Sequence, residues 1–318
     1  MSNQLVTIFG ASGQVGRAIV ERLCHHGYRI RATSRHPNEA LFLKPFGDPG
    51  QVQTTFADIS REETVIKAIE GASIVINCVG ILYESRGRQK FQTLQAEGAA
   101  AIAKAAKKEG VQTLIHISAI GADQHSPSQY ARTKWQGEKA VKAAFPKAVI
   151  LRPSIIFGPN DSFFNLFAKM AKNPVLPIPV VGPKIRFQPV YVEDVAEAVV
   201  RAVMNSGKYQ GNIYQLGGPE VYTFRELLDY MLGVIGVKKF IIPRPFPIAG
   251  FLGWWFQLWA KLLPITPPLT LDQVRLLKND NVVSATAKGF EAFGIKPTSI
   301  TSVVPGYLVR FRTGGSTS

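Results

Sequence analysis

The stretch Leu5-Val-Thr-Ile-Phe-Gly-Ala-Ser-Gly-Gln-Val-Gly16 decides the fold, because it joins a short apolar run to three glycines near the start of the chain. The run Leu5–Phe9 predicts a buried parallel strand, and the spacing of apolar residues over Gly16–His26 predicts the helix that follows. The first glycine permits a tight turn, the second lets a ligand approach the backbone, and the third lets the helix pack closely.

This arrangement is typical of a dinucleotide-binding unit, because phosphates can face the free N–H groups and the positive dipole of the helix N-terminus. A glycine triplet alone is weak evidence, and the alternative is a simple packing turn. Here it follows an apolar strand and opens an alternating pattern of strands and helices. The residues of the turn expected to contact the cofactor are Gly10, Ser12, Gly13, Gln14, Val15, Gly16 and Arg17.

Strands alternate with helices along most of the chain. Further strands are predicted over residues 28–34, 52–57, 73–79, 113–118, 148–152 and 213–217. Further helices are predicted over residues 62–70, 91–109, 129–145, 194–205 and 223–235. This alternation indicates an α/β fold built as a doubly wound parallel sheet of the Rossmann type.

Pro and Gly become frequent after Pro153, which predicts a second, smaller domain. We expect a Rossmann domain over residues 1–156, completed by about 188–217. Residues 157–187 and 218–313 would form the smaller C-terminal substrate or docking domain. Residues 314–318 would be a disordered tail.

The end of the second predicted strand distinguishes between cofactors. NAD sites usually place Asp or Glu there, whereas this sequence has Thr33-Ser34-Arg35-His36 and no acid. Arg35, together with Arg17, could pair with a 2′-phosphate through charge-assisted hydrogen bonds. We therefore expect NADP(H) rather than NAD(H), the alternative being two solvated arginines.

Residues after other strands complete the expected cofactor site. Asp58 is placed to meet the adenine amino group, and Gly80 leaves room for the ribose and nicotinamide side. Ile59, Val79 and Pro153 are expected contacts beside them.

Tyr130-Ala-Arg-Thr-Lys134 places two functional side chains on one face of a predicted helix. In a reductase, such a Lys lowers the pKa of the Tyr and hydrogen-bonds the nicotinamide ribose, while the Tyr transfers a proton. With the glycine turn, this pair resembles the short-chain dehydrogenase/reductase superfamily in its extended or atypical branch, over about residues 4–235.

Within that superfamily, the sequence is similar to the dehydrogenase-like accessory subunits of respiratory complex I, the NADH:ubiquinone oxidoreductase. The motifs that carry this resemblance are Gly10–Gly16, His116-Ile-Ser118, Tyr130–Lys134, Gly137-Glu138, Ala144-Phe-Pro146, Arg152-Pro-Ser-Ile-Ile-Phe-Gly158 and Gln188-Pro-Val-Tyr-Val-Glu-Asp194. The resemblance implies a tightly bound structural NADPH without established turnover. It also implies partner subunits in a membrane respiratory complex.

The superfamily's catalytic pattern is incomplete in this chain. Active members usually carry a Ser about two residues beyond Ser118, where Ile120 stands. Ser118 is either a cofactor contact or an ordinary strand serine. Two functions stay open: a non-catalytic cofactor-binding subunit, and an active NADPH-dependent reductase or epimerase-like enzyme on a sugar-nucleotide, lipid or isoprenoid substrate.

Composition restricts the partners. The chain carries 37 Lys and Arg against 22 Asp and Glu, a net charge of +15. This charge favours anionic lipid, nucleic acid, phosphorylated ligands or an acidic protein face, and the alternative is that it serves solubility alone. We expect no nucleic-acid partner, because no binding motif accompanies the charge. We expect no metal, and we expect Cys24 and Cys78 to be buried thiols.

The segment Pro245–Ala260 is uncharged and contains Trp254, Trp255 and Trp259, with Arg244 and Lys261 flanking it. It is too short and too broken to span a bilayer, so it suits a membrane interface or a protein groove. The alternative is a core helix. With no room for a leader before the first strand, we expect a bacterial protein, peripheral on the cytoplasmic side of the inner membrane.

Overall fold

The computed structural model describes residues 4–85, 87–173, 175–262 and 269–312, with residues 256–262 described by their backbone alone. The expected tail at 314–318 and the side chain of Trp259 therefore lie outside the described residues.

Seven parallel strands form the central sheet in the order β11-β6-β5-β4-β1-β2-β3. The strands in chain order are β1 Leu5–Phe9, β2 Arg29–Ser34, β3 Val52–Phe56, β4 Ile74–Asn77, β5 Thr113–Ile117, β6 Val149–Pro153, β7 Ile156–Phe157, β8 Ile178–Val181, β9 Arg186–Phe187, β10 Val190–Tyr191, β11 Ile213–Leu216, β12 Tyr222–Thr223 and β13 Ile241–Arg244. The predicted doubly wound sheet is confirmed, with every predicted strand in it. The remaining strands form three two-stranded ribbons.

Helices cover both faces of the sheet. The α-helices are α1 Gln14–His25, α2 Glu62–Ile69, α3 Gly98–Lys108, α4 Gln129–Ala144, α5 Phe164–Ala171, α6 Val192–Met204, α7 Ser206–Tyr209, α8 Phe224–Ile235, α9 Phe246–Leu262, α10 Leu271–Leu276 and α11 Ile300–Leu308. α1 and α6 pack on one face, and α2, α3 and α4 on the other. Two buried faces explain why the central strands are apolar almost throughout.

The predicted helix over residues 91–109 is present, but its first part is a π-helix over Gln92–Glu97. The wider turn accommodates Gln95, which donates from Nε2 to the Ile81 carbonyl at 2.8 Å and accepts from the Thr133 hydroxyl at 2.9 Å. α4 packs tightly here, because a Cβ on Gly137 would lie 2.2 Å from the Gln95 carbonyl oxygen. Such π-turns concentrate near functional sites.

A second hydrophobic core lies outside the sheet. It joins α5, α8 and α11 with β8, and its aromatic centre contains Phe163, Phe187 and Phe224. Its residues come from segments both before and after β11 in the chain, so the C-terminal part is interleaved with the sheet. The division into two domains at the stated boundaries stays a prediction.

Helix α9 coincides with the tryptophan-rich segment and has two different faces. Its inner face packs through Ala249, which is 1% exposed, and Gly253. Its outer face presents Phe251 and Trp254, which are 62% and 50% exposed. Among the described side chains of α9, the aromatic rings at 251, 254 and 255 are therefore exposed rather than buried in a core. Among the described residues, no helix is both long and apolar enough to cross a membrane.

Candidate functional site

The glycine turn is built from contacts that no larger residue would allow. Gly10 has a φ of +77°, and a Cβ on it would lie 3.1 Å from the Cys78 carbonyl carbon. A Cβ on Gly16 would lie only 2.2 Å from the Gly10 carbonyl oxygen. Gly13 stands at the N-cap of α1 and offers no side-chain cap. The first amide groups of α1 are therefore left for another partner, as at anion-binding helix ends.

A cavity of about 300 Å³ lies at the carboxyl ends of β1 to β4. Half of the predicted cofactor contacts line it, namely Gly10, Ser12, Gly13, Arg35, Asp58, Ile59, Val79 and Gly80. The residues that sequence reasoning missed are Phe9, Thr33, Ser34, His36, Glu39, Ala57, Cys78, Ile81 and Leu94. The predicted residues outside its lining are Gln14, Val15, Gly16, Arg17, Ser118, Tyr130, Lys134 and Pro153.

Buried polar atoms without partners mark the surroundings of this cavity. In the described part of the chain, they are Gln14 Nε2, Arg17 Nε, Ser118 Oγ and His116 Nε2. Buried polar atoms are normally hydrogen-bonded, so orphans at the start of α1 and at the end of β5 point to a missing partner. Three of these four residues were predicted contacts of a dinucleotide. Together with the glycine turn, they fit that group.

The rim of the cavity carries opposite charges. Arg35 and His36 follow β2 and are exposed, and Glu39 reaches the cavity from the 3₁₀ helix Pro37–Phe46. Glu39 was not predicted, because it lies in the helix that follows β2 and not at the end of the strand. Pro37 at the start of that helix is the signal that could have found it, because acids are frequent in the first turn.

Arg17 is held at the glycine turn rather than at the cavity wall. Its guanidinium donates to the Ser12 carbonyl at 3.1 Å and lies 4.9 Å from the centre of the Phe42 ring. Arg35 is thus the only one of the two predicted arginines that lines the cavity.

Asp58 lies in the cavity wall with a fixed carboxylate. Its Oδ1 accepts from the Ser60 backbone at 2.9 Å and from the Ser60 hydroxyl at 2.7 Å. Partial burial raises the pKa of Asp58, but these hydrogen bonds and the nearby Arg61 outweigh it and lower the pKa overall. The side chain is therefore an ionised acceptor at neutral pH.

Tyr130 and Lys134 lie on α4, where the Tyr130 ring contacts Phe91 and Lys134 reaches Gly80 at the far end of the cavity. Lys134 is buried, donates to the Ile117 carbonyl at 3.2 Å, and would be 3.2 Å from a Cβ on Gly80. Burial lowers the pKa of Lys134 to about 8 and raises that of Tyr130 to about 12. Lys134 therefore lies against Gly80 in the cavity wall, so the predicted contacts on α4 and those in the cavity can belong to one site.

A neutral histidine lies beneath Lys134. His116 on β5 contacts the Asn77 amide through Nδ1 at 3.1 Å. Burial, with the adjacent Lys134 charge, lowers the pKa of His116 to about 3. His116 therefore adds no competing positive charge at physiological pH.

The segment after β5 carries an apolar side chain, Ile120, at the position where the superfamily resemblance leads us to expect a serine in an active enzyme. Ile120 is buried, and its amide donates to the Pro153 carbonyl at 3.0 Å. Ser118 is the nearest serine before it and has an unpartnered Oγ. Both cysteines are free thiols whose pKa is raised by burial, to about 11 for Cys24 and about 12 for Cys78. In the described ranges, no group of His, Cys, Asp and Glu could hold a metal ion.

We predict that the Lys134 titration appears in the stability of the protein. Below pH 8 this lysine is charged in both the folded and the unfolded chain. The free-energy cost of burying its charge then lowers the stability of the folded protein by its full amount. Between about pH 8 and its ordinary value of 10.5, only the unfolded chain keeps the proton, so stability rises with pH. The methionine of Lys134→Met cannot titrate, so the wild type should gain stability relative to this variant as the pH rises. The gain in free energy of unfolding from pH 7 to pH 10.5 should be on the order of 3 kcal/mol.

Urea unfolding at several pH values measures this difference. Lys104→Met is the control, because Lys104 is exposed on α3. If the difference in free energy of unfolding between Lys134→Met and the wild type is as independent of pH as that of Lys104→Met, then Lys134 titrates as an ordinary lysine.

Comparison with known proteins extends these observations. The model of the NAD dependent epimerase/dehydratase family matches residues 6–217. A mitochondrial NADH dehydrogenase [ubiquinone] 1 alpha subcomplex subunit 9 from Arabidopsis thaliana is 33% identical over 99% of this chain and 80% of its own length. A ceramide reductase from Caulobacter vibrioides is 29% identical over 89% of this chain and 87% of its own length.

The fold has close counterparts among solved structures. An NADPH-dependent quinone oxidoreductase from Escherichia coli, solved with NADPH, superposes with a TM-score of 0.73 at 19% identity, over 95% of this chain and 99% of that one. The match of the family model to the residues that build the sheet and the cavity shows that this chain belongs to the NAD dependent epimerase/dehydratase family.

Proposed function

We propose that this protein is an NADP(H)-binding accessory subunit of a membrane respiratory complex of the complex I type. One observation carries the proposal. The identity to a subunit of that complex is 33% over 99% of the chain, so the similarity extends past residue 217, where the family domain ends, and includes α9 and α10. For the ceramide reductase the identity is 29% and the share of the chain 89%. In this proposal, the dinucleotide stabilises the Rossmann fold and turnover is absent.

The choice of NADP(H) depends on the charges at the end of β2. Arg35 lines the cavity, and no acid stands at the strand end, where NAD sites need one for the ribose 2′-hydroxyl. Glu39 on the same rim opposes an added phosphate, so Arg35 must outweigh it. Arg17 donates to the Ser12 carbonyl through one guanidinium nitrogen, and its Nε, without a partner among the described residues, is available to support Arg35.

We predict that cofactor released by acid or heat carries a 2′-phosphate when identified by mass spectrometry. Arg35→Ala should weaken NADP(H) binding by about 1.5–3 kcal/mol and leave NAD(H) binding nearly unchanged, because it removes a hydrogen bond between charged groups. Glu39→Gln should strengthen NADP(H) binding by removing a like charge. Arg29→Ala, at the exposed opposite end of β2, is the control. Recovery of NAD(H) alone would refute this assignment.

Absence of turnover is supported by the segment after β5. Bound NADPH would supply a hydride, and Tyr130 would be the proton donor. Ile120 offers no hydroxyl to orient a carbonyl between them. Burial also raises the pKa of the Tyr130 phenol to about 12, which makes it a weaker proton donor than an ordinary tyrosine. Tyr130 and Lys134 would then serve to hold the ribose.

An active reductase is the second candidate, and the ceramide reductase relative favours it. In that case Tyr130 would donate its proton to a lipid carbonyl as the hydride adds to the carbonyl carbon. The unpartnered Ser118 hydroxyl would be the group available to orient the carbonyl.

Two variants should separate these functions. Tyr130→Phe should leave respiratory activity nearly intact, whereas Gly13→Val should obstruct the pyrophosphate and reduce assembly of the complex. Gly233→Val is the matched control, since a Cβ on Gly233 meets nothing within 4 Å. Assembly is followed by sedimentation of the native protein with the membrane complex. Steady NADPH oxidation with a lipid carbonyl, abolished by Tyr130→Phe, would instead establish the reductase.

We further propose that α9 attaches the protein to the cytoplasmic surface of the inner membrane of a bacterium, beside a partner subunit. Phe251, Trp254 and Trp255 form one aromatic cluster, with ring centres 6.1 to 6.5 Å apart. Aromatic rings with basic flanks suit the headgroup region. The net charge of +15 adds attraction of about 1 kcal/mol per Lys or Arg near anionic lipid, screened within roughly 8 Å.

We predict that the protein floats with vesicles containing phosphatidylglycerol and binds pure phosphatidylcholine vesicles more weakly. High salt should release only part of it, because aromatic burial is not screened. Joint replacement of Trp254 and Trp255 by Ser should release most of the rest. Phe56→Ser, which removes an exposed ring from the edge strand β3, is the control. Wild-type protein that stays in the soluble fraction with both vesicles would contradict membrane attachment.

A further inference from the structure

Helix α4 is held at its first turn by a side chain from a distant segment. Asp272 accepts at Oδ1 from the Gln129 amide at 2.6 Å. Its Oδ2 accepts from the Tyr130 amide at 3.0 Å and from the Ser128 hydroxyl at 2.7 Å. Amide groups in a first helical turn have no partner within the helix, so one carboxylate satisfies the start of α4.

Asp272 is itself buried, with 9% of its surface exposed. It belongs to α10, a helix of six residues whose N-terminus is fixed by a capping box between Thr270 and Gln273. A helix this short takes its position from its neighbours. Its closest neighbour is α9, since a Cβ on Gly253 would lie 2.9 Å from the Leu271 nitrogen and from the Thr270 carbonyl carbon.

These contacts form a continuous series from the outer aromatic face of α9 to the site. α9 lies against the backbone of α10, α10 presents Asp272, and Asp272 fixes the turn that carries Tyr130. Lys134 stands one turn further along α4 with its own hydrogen bond to Ile117. The position of Tyr130 is therefore the part of the site that depends most on Asp272.

The adenine side of the cavity, at Arg35, Asp58 and Ile59, lies away from this series. None of the described lining residues comes from α4 or α10, and the contacts with α4 and its neighbour Gln95 are at the other end, at Gly80 and Ile81. A change at Asp272 should therefore affect one end of a bound dinucleotide and spare the other.

We propose that Asp272 is a positioning residue for the nicotinamide half of the dinucleotide site, acting through the first turn of α4 on Tyr130. α9 sets the position of Asp272 by its backbone contact at Gly253. The proposal rests on the dinucleotide binding proposed above.

The test compares NADPH with 2′,5′-ADP, a fragment that lacks the nicotinamide half, by titration calorimetry on the full chain. Asp272→Asn keeps the shape of the side chain but places an amide N–H against groups that donate. It should lower NADPH affinity about tenfold and change 2′,5′-ADP affinity less than about twofold. If the site selects NAD(H), the same comparison is made with NADH and 5′-AMP in place of NADPH and 2′,5′-ADP.

Asp280→Asn is the matched control. Asp280 also accepts from a backbone amide, that of Arg186 at 2.8 Å, and belongs to the same C-terminal segment, away from α4. It should leave both affinities unchanged.

A second variant tests the series without touching Asp272. Gly253→Ala introduces a Cβ against the α10 backbone, whereas Gly250→Ala on the same helix meets only the Leu271 side chain at 3.6 Å. Both changes favour helix formation, so a weaker helix cannot explain a loss. Gly253→Ala should lower NADPH affinity selectively, and Gly250→Ala should not.

The outcomes are distinct. Equal loss of both ligands in Asp272→Asn, or loss of neither, would overturn the positioning role while leaving dinucleotide binding in place. Unchanged NADPH affinity in Gly253→Ala would overturn the role of α9. Wild-type protein that binds neither ligand of either pair would overturn the proposed dinucleotide function, and this proposal with it.

Discussion

The contact between Gly16 and the Gly10 carbonyl oxygen is the constraint on which the rest of the site depends. It allows α1 to begin directly behind the end of β1, in a space that would not hold one methyl group. The helix N-terminus, the four neighbouring strand ends and the cavity then share one edge of the sheet. The orphaned Gln14 and Arg17 atoms belong to the first turn of α1, so a tightly packed turn also holds buried polar atoms without partners among the described residues.

Helix α4 has the corresponding role on the other side of the site. One of its faces lies on the π-helical turn at Gln95 and on the sheet, where Glu138 forms a bidentate pair with Arg152 at 2.8 and 2.6 Å. Its first turn is closed by Asp272. Lys134 is thus carried into a low-dielectric position by a helix that is fixed at several points along its length. The low pKa of its ammonium group follows from that placement.

The sequence predicts the sheet and the glycine turn well, because both depend on periodicity and on residues adjacent in the chain. Glu39 was missed because it reaches the cavity through the path of a 3₁₀ helix, which strand-end reasoning does not follow. Asp272 was missed for a stronger reason. A carboxylate that caps a helix 143 residues away leaves no pattern in either segment. The π-turn at Gln95 likewise reflects packing against α4, so helical periodicity over residues 91–109 could not reveal it.

The order of strands in the sheet has a consequence for synthesis on the ribosome. β6 pairs on its outer side with β11, and residues 154–212 separate the two in the chain. When the first six strands have emerged, the backbone of β6 is an open edge that another chain could extend. Part of the second core must be made before that edge closes. Misfolding in this protein should therefore begin as strand addition at β6, before release of the finished chain.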